Sequence, residues 1–175
     1  MVRSIAQGSL GYLWIGTEDG LNKFNGYEFT VFKKSVRQEK SLADNFIYSL
    51  APGRDGVMWV GTNSGGLARY NPATEDFKVF RHDPDDPTSI NKGRIYSLHV
   101  DGDGNLWAGT LGGGLNRYLP EKEGFISHTR DTSRENALTS NNIYAITHDS
   151  RDNLWIRTEK DLNLYRPESQ TFLSF

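Results

Sequence analysis

One short acidic segment resembles part of a metal-binding motif. Asp101-Gly102-Asp103-Gly104-Asn105 places side-chain oxygens at alternate positions, as the first half of a calcium-binding loop does. The complete loop needs a bidentate Glu at its twelfth position, and that position is Gly112 here. The ligand set is therefore incomplete. We expect a hairpin turn in which Asp side chains bond the local backbone.

Other catalytic and metal-binding patterns are also incomplete. No Gly-x-Ser-x-Gly elbow occurs, and Leu111-Gly112-Gly113-Gly114 is not followed by the Lys and Ser or Thr of a phosphate loop. The chain has no Cys, which excludes thiol catalysis and thiolate metal ligands. The four histidines lack the spacing of a metal-binding pair on one helix: His82, His99, His128 and His148. The sequence predicts no catalytic residue, no metal and no cofactor.

Composition narrows the class of partner. The 175 residues carry 20 Lys plus Arg and 22 Asp plus Glu, scattered along the chain, for a net charge of -2. A nucleic-acid-binding domain would need a basic stripe, so we expect no nucleic acid. No apolar run approaches the roughly 18 residues of a membrane span, so we expect no direct membrane insertion.

The elements that must position any site come from a fourfold repeat. Trp14, Trp59, Trp107 and Trp155 each sit in a near-identical string, at intervals of 45, 48 and 48 residues. A four-residue apolar segment precedes each string, and a turn followed by two more short apolar segments completes the unit. Four short strands in a repeat of about 45 residues match the strand number and length of a propeller blade. We predict an all-β fold of four four-stranded antiparallel blades in one domain, 1–175, with blades at about 2–32, 47–80, 95–128 and 143–175.

Both faces of each predicted sheet are apolar. Leu13 and Ile15 share one face, and Trp14 lies on the other beside the small Gly16. Blades stacked around an axis cover both faces, which leaves two arrangements: a small closed ring of four, or half of a larger ring. We favour the second, with two chains associating through their terminal blades. No link precedes the first blade, so we also expect the chain to be a fragment.

Successive units share Ile-Tyr-x-Leu, a turn with Asp and Gly, Leu-Trp-x-Gly-Thr and Gly-Gly-Leu-x-Arg-Tyr. This pattern resembles the two-component regulator propeller repeat, found in the extracytoplasmic sensor regions of hybrid histidine kinases and of some diguanylate cyclases. The resemblance covers nearly the whole chain and is weakest in the fourth unit. It implies a periplasmic or extracytoplasmic, non-catalytic module that senses an oligosaccharide or other small ligand, with a kinase or cyclase elsewhere in the parent protein.

Two other functions remain open: a propeller enzyme similar to a polysaccharide lyase or glycosidase, and a purely structural dimerisation scaffold. Binding residues concentrate in loops on rigid scaffolds. We therefore expect ligand contacts at the end of the ring that carries the links into the inner strands and the turns between second and third strands. The exposed candidates are Asp19, Asn63, Arg94, Asn142, Arg157 and Lys160.

Two arginines break the repeat. Arg157 stands where the repeat has Gly, so it must have been given room or a partner, unless it reflects only local repacking in the last blade. Arg3 stands where the other units have Tyr48, Tyr96 and Tyr144, and it raises the same question.

Overall fold

The computed structural model describes all residues, 1–175, and contains sixteen strands and no helix. It contains no helix that is long and apolar enough to span a membrane. The strands form four sheets, each of four antiparallel strands in sequential order, which confirms the predicted fold class. In chain order the strands are β1 Val2–Gln7, β2 Leu13–Thr17, β3 Gly20–Phe24 and β4 Phe29–Phe32; β5 Ile47–Pro52, β6 Met58–Thr62, β7 Leu67–Asn71 and β8 Asp76–Phe80; β9 Arg94–Val100, β10 Leu106–Leu111, β11 Leu115–Leu119 and β12 Gly124–His128; and β13 Ile143–His148, β14 Leu154–Thr158, β15 Leu162–Arg166 and β16 Thr171–Ser174.

The first strand of each blade lies innermost, and successive blades meet along these strands. β1 contacts β5, β5 contacts β9 and β9 contacts β13. The sheets do not close on themselves, so the chain adopts the partial-ring form of the two predicted arrangements. The inner strands are six or seven residues long, longer than the four-residue apolar segments, because flanking residues also pair with the second strand.

One aromatic contact recurs at each junction between blades. The Trp of one blade meets a Tyr of the next edge-on, with ring centroids 4.8 Å apart for Trp14–Tyr70 and 5.0 Å for Trp59–Tyr118. Trp107 and Tyr165 repeat the arrangement at 5.0 Å. All three indoles are buried. Burial of these rings contributes to the cohesion between blades, since each ring removes on the order of 150–250 Å² from water.

The Asp-rich turns anchor the indoles of the last two blades. Asp101 accepts hydrogen bonds from the Asn105 backbone N (2.8 Å) and from Trp107 Nε1 (2.8 Å). Burial alone would raise the pKa of Asp101, but these donors hold it below its usual value. Asp149 accepts from Trp155 Nε1 at 3.0 Å in the same way. The prediction that Asp side chains bond the local backbone of the turn is confirmed, and the same carboxylates also fix the Trp orientation.

His128 occupies the position that Phe32 and Phe80 hold in the first two blades. Its ring centroid lies 5.4 Å from those of Tyr165 and Phe172, just as Phe80 packs on the next blade. Burial, and secondarily the positive charge of Arg117, lower the pKa of His128. The folded state therefore favours the neutral imidazole.

This lowered pKa predicts a loss of stability in acid. A folded-state pKa below the unfolded value of about 6.5 leaves the stabilisation intact above that pH and removes it as the pH falls toward the folded pKa. One such histidine contributes at most about 1.4 kcal/mol per pH unit. We expect His128→Phe to reduce the decline in unfolding free energy between pH 7.5 and 5.5, measured by urea denaturation. An unchanged decline would show that His128 is equally protonated in both states.

Candidate ligand-binding site

Each inner strand contains a β-bulge at the same repeat position. The pairing of β1 with β2 skips the residue between Val2 and Ser4, and the other three inner strands skip the equivalent residue. A bulge leaves its extra residue out of the ladder and redirects the side chain, and bulges are enriched next to active sites. The four bulged residues are Arg3, Tyr48, Tyr96 and Tyr144.

The bulged tyrosines form a continuous row across the inner edge of three blades. Ring centroids are 5.4 Å apart for Tyr48 and Tyr96, and 5.6 Å apart for Tyr96 and Tyr144. Phe46 stacks on Tyr48 at 4.8 Å. We name Phe46, Tyr48, Tyr96 and Tyr144 the axial row. All four are half-buried, so part of each ring is open to solvent.

Three guanidinium groups lie over this row. Arg94 is 5.1 Å from the centroid of Tyr48, Arg157 is 5.4 Å from that of Tyr144, and Arg3 is 5.3 Å from that of Phe46. Such cation–π contacts hold a guanidinium flat against a ring. Arg3 is also paired with Glu18 at 2.7 Å, whereas Arg94 and Arg157 form no ion pair or side-chain hydrogen bond. These two arginines therefore retain their charge and their donors for another partner.

A hollow of about 580 Å³ opens beside Arg94, between the second and third blades. Its six lining residues include two cations and no acid: Asn63, Ser64, Lys92, Gly93, Arg94 and Leu111. Gly93 has φ +139°, and a Cβ there would lie 2.5 Å from the Leu111 carbonyl oxygen. Only glycine lets the link into β9 pass this close to the neighbouring strand, so Gly93 fixes the wall of the hollow.

The structure brings together two of the six residues predicted from sequence and places a third over the axial row. Asn63 and Arg94 share the hollow, and Arg157 lies at the far end of the axial row. The other three lie outside the row. Asp19 pairs with Lys33 at 2.6 Å, Asn142 donates to Glu159 at 2.9 Å, and Lys160 is exposed in the turn after β14.

Arg157 has both the room and the partner that its position required. In the first three blades a Cβ on Gly16, Gly61 or Gly109 would run into an isoleucine of the next blade, at 2.7 Å, 2.7 Å and 2.5 Å. In the fourth blade the Arg157 side chain contacts Tyr144 of its own inner strand. The facing inner-strand residue is Ala145, where the earlier blades have Ser, and this also widens the space.

Two histidines contact each other across blades. His99 Nε2 and His148 Nδ1 are 2.7 Å apart, on neighbouring inner strands. Burial, and then the proximity of His148, lower the pKa of His99. No group of three or more His, Cys, Asp or Glu side chains gathers in a geometry for a metal, and two imidazoles alone do not complete a tetrahedral zinc site.

The repeats match a known family model. The model of the two component regulator propeller family matches residues 41–64, 89–112 and 137–160, in each case from the link through the Leu-Trp strand to the turn after it. Three of the four units of the chain are therefore similar to the two component regulator propeller repeat. The family resemblance predicted from the sequence is confirmed.

Solved extracellular domains of two-component systems share the architecture of this chain. The extracellular domain of a hybrid two-component system of B. thetaiotaomicron is 26% identical with a TM-score of 0.76, covering 94% of this chain and 21% of that one. Another such domain from the same organism is 24% identical with a TM-score of 0.54, covering 99% and 30%. The chain thus spans about a fifth to a third of these extracellular domains.

Two further proteins give narrower matches. Histidine kinase P4 of Formosa agariphila is 40% identical over 42 residues, which is 24% of this chain and 3% of the kinase. A virginiamycin B lyase of Staphylococcus aureus shares the fold with a TM-score of 0.68 but only 14% identity, over 99% of this chain and 55% of the lyase. At that identity the likeness to the lyase concerns the fold alone.

Proposed function

We propose that the chain is a non-catalytic ligand-sensing module, the propeller part of a bacterial membrane signalling protein, and that it lies outside the cytoplasm. The repeats and the likeness to extracellular domains of two-component systems support this proposal. The axial row is the observation that carries the proposal, because it places partly exposed aromatic rings and two guanidiniums without an ion pair along one edge.

The row suits a sensor because it crosses three blades. A ligand that contacts both Tyr48 and Tyr144 would bridge the second, third and fourth sheets. If the ligand binds one relative orientation of those sheets more tightly, binding shifts the population toward that orientation. A kinase or cyclase module elsewhere in the parent protein would respond to this change in orientation. Aromatic faces pair well with the flat, apolar faces of sugar rings, so an oligosaccharide or similar small ligand fits the row.

Thermal-shift screening against an oligosaccharide panel, with product analysis of every member, tests this function. A ligand present at 100 times its dissociation constant adds about 2.7 kcal/mol of stability. We expect at least one member to stabilise the chain and to be recovered unchanged. Conversion of a member would favour the propeller-enzyme alternative, and a panel without any saturable ligand would overturn the sensing proposal.

The terminal blades favour a second candidate role, self-association with another copy of the chain. The outer face of the first blade is apolar and uncovered, with Ile5 62% and Phe29 57% exposed. The same face of the second blade covers Trp14, through residues such as Met58 and Tyr70. On the fourth blade, Leu162 is 41% and Phe175 66% exposed around Trp155. We propose that the first blade of one copy covers the fourth blade of another.

Light scattering at micromolar concentration checks this association. We expect a mass above that of one chain, and a return to the single-chain mass in Ile5→Lys and Leu173→Lys, because each places a charge in an apolar contact. Val36→Lys is the matched control, since Val36 is 97% exposed in the link between the first two blades and outside both faces. A wild-type chain that stays monomeric would exclude the second role.

A further inference from the structure

We propose that the hollow at Arg94 selects an anionic ligand: a carboxylate attached to a ring that lies beside the axial row. This inference rests on the proposed sensing function and specifies the chemistry of its ligand. The carboxylate would bind between Arg94 and Lys92, and the ring would contact the exposed edges of the tyrosines next to the hollow.

The first support is the distribution of charge around the hollow. Lys92 and Arg94 both line it, no acidic side chain does, and neither cation forms an ion pair. The chain as a whole has more acids than bases, 22 against 20, so unpaired neighbouring cations do not follow from a shortage of carboxylates. By contrast Arg3, on the same row, has been neutralised by Glu18.

The second support is the orientation of Arg94. Its guanidinium is held 5.1 Å above the ring of Tyr48, which leaves its N–H edge free. A guanidinium presents its donors in a planar fork that matches the two oxygens of a carboxylate. The contact with Tyr48 limits the freedom of this side chain before binding, so less of that freedom is lost when the ligand binds.

The third support is the rigidity of the opposite wall. The Asn63 backbone N donates to the Phe46 carbonyl at 3.0 Å, which ties the turn after β6 to the start of the axial row. This bond holds the backbone at Asn63, which lines the same hollow as Arg94. An amide and a guanidinium facing each other can bind a ring hydroxyl and a carboxylate of the same ligand.

Two sources supply this chemistry, uronic-acid sugars and aromatic acids, and the experiment separates them. Isothermal titration of the full chain uses two matched pairs: a glucuronate-containing disaccharide with its neutral glucose counterpart, and 2-naphthoate with 2-naphthamide. We expect the charged member of at least one pair to bind at least tenfold more tightly than its neutral partner. We expect this preference to shrink when the salt concentration is raised tenfold, because screening acts on the charged member.

Variants assign the preference to Arg94. Arg94→Gln should reduce the preference to less than threefold while leaving the neutral member's affinity within threefold, and Arg94→Lys should restore part of it, because lysine keeps the charge but not the fork. Arg37→Gln, at an exposed link position, is the matched control and should leave the preference unchanged. Circular dichroism confirms that each variant is folded.

The outcomes distinguish this inference from the function it rests on. A preference that persists in Arg94→Gln, or neutral members that bind as tightly as charged ones, overturns the anionic site and leaves the sensing function in place. If none of the four probes binds but a neutral oligosaccharide from the panel does, the anionic site is again wrong. If no probe and no panel member binds, both proposals fall.

Discussion

Replacing Trp107 with Ala is expected to lower the free energy of unfolding by about 3–5 kcal/mol, the usual cost of removing a large buried aromatic side chain. Trp107 is 3% exposed and packs edge-on against Tyr165 of the next blade. Its loss leaves a cavity at the junction between the third and fourth blades, and it also frees the Asp101 carboxylate that accepts the indole N–H.

Trp155→Ala is the matched comparison, because Trp155 has the same repeat position and the same indole hydrogen bond, to Asp149. No further blade covers Trp155, so its removal should cost much less. Since self-association would cover this face, both substitutions are made on the Ile5→Lys background and measured by urea denaturation with circular dichroism. Equal costs at the two positions would mean that stacking between blades is not what stabilises the repeat.

Gly109→Ala is expected to destabilise the fold by about 1–3 kcal/mol, the cost of overpacking a well-packed core. The added Cβ would lie 2.5 Å from Ile143 Cγ2 and closer still to Ser97 Oγ. Both neighbours belong to inner strands and are fixed by backbone pairing, so neither can move aside cheaply.

Arg157→Ala occupies the equivalent position in the fourth blade and provides the control. With no isoleucine from a next blade in the way, this substitution should change the unfolding free energy by less than about 0.5 kcal/mol. The same denaturation experiment measures both. If Gly109→Ala lowers the unfolding free energy no more than Arg157→Ala does, then close packing of the next blade does not require glycine at this position.

The repeat units could be predicted from sequence because their signals are local. Each Leu-Trp string alternates apolar side chains between two faces, and Gly and Asp turns bound it on both sides. Those features alone determine short antiparallel strands in sequential order. In the first three units a Gly follows two residues after Trp and lies on the same face, which is consistent with blades stacked face to face, and the clash distances at Gly16 and Gly109 agree with this.

The axial row could not be predicted from the same signals. Its tyrosines face one another only because each inner strand carries a bulge, and a bulge depends on pairing across the hairpin rather than on the residue itself. The sequence did show that this position differs between units, because Arg3 stands where the other units have tyrosine. Arg157 was open to two interpretations, since its room depends on the absence of a neighbouring sheet, which no local pattern reveals.

The most direct test of the axial row as the ligand site is a titration followed by NMR, with ¹³C-labelled tyrosine rings and the panel member that stabilises the chain most. The chain contains its own control, because Tyr70, Tyr118 and Tyr165 lie buried between blades. We predict that the ring signals of Tyr48, Tyr96 and Tyr144 shift together with one dissociation constant, while those of the three buried tyrosines stay in place. Shifts confined to the buried tyrosines, or to none, would contradict the account.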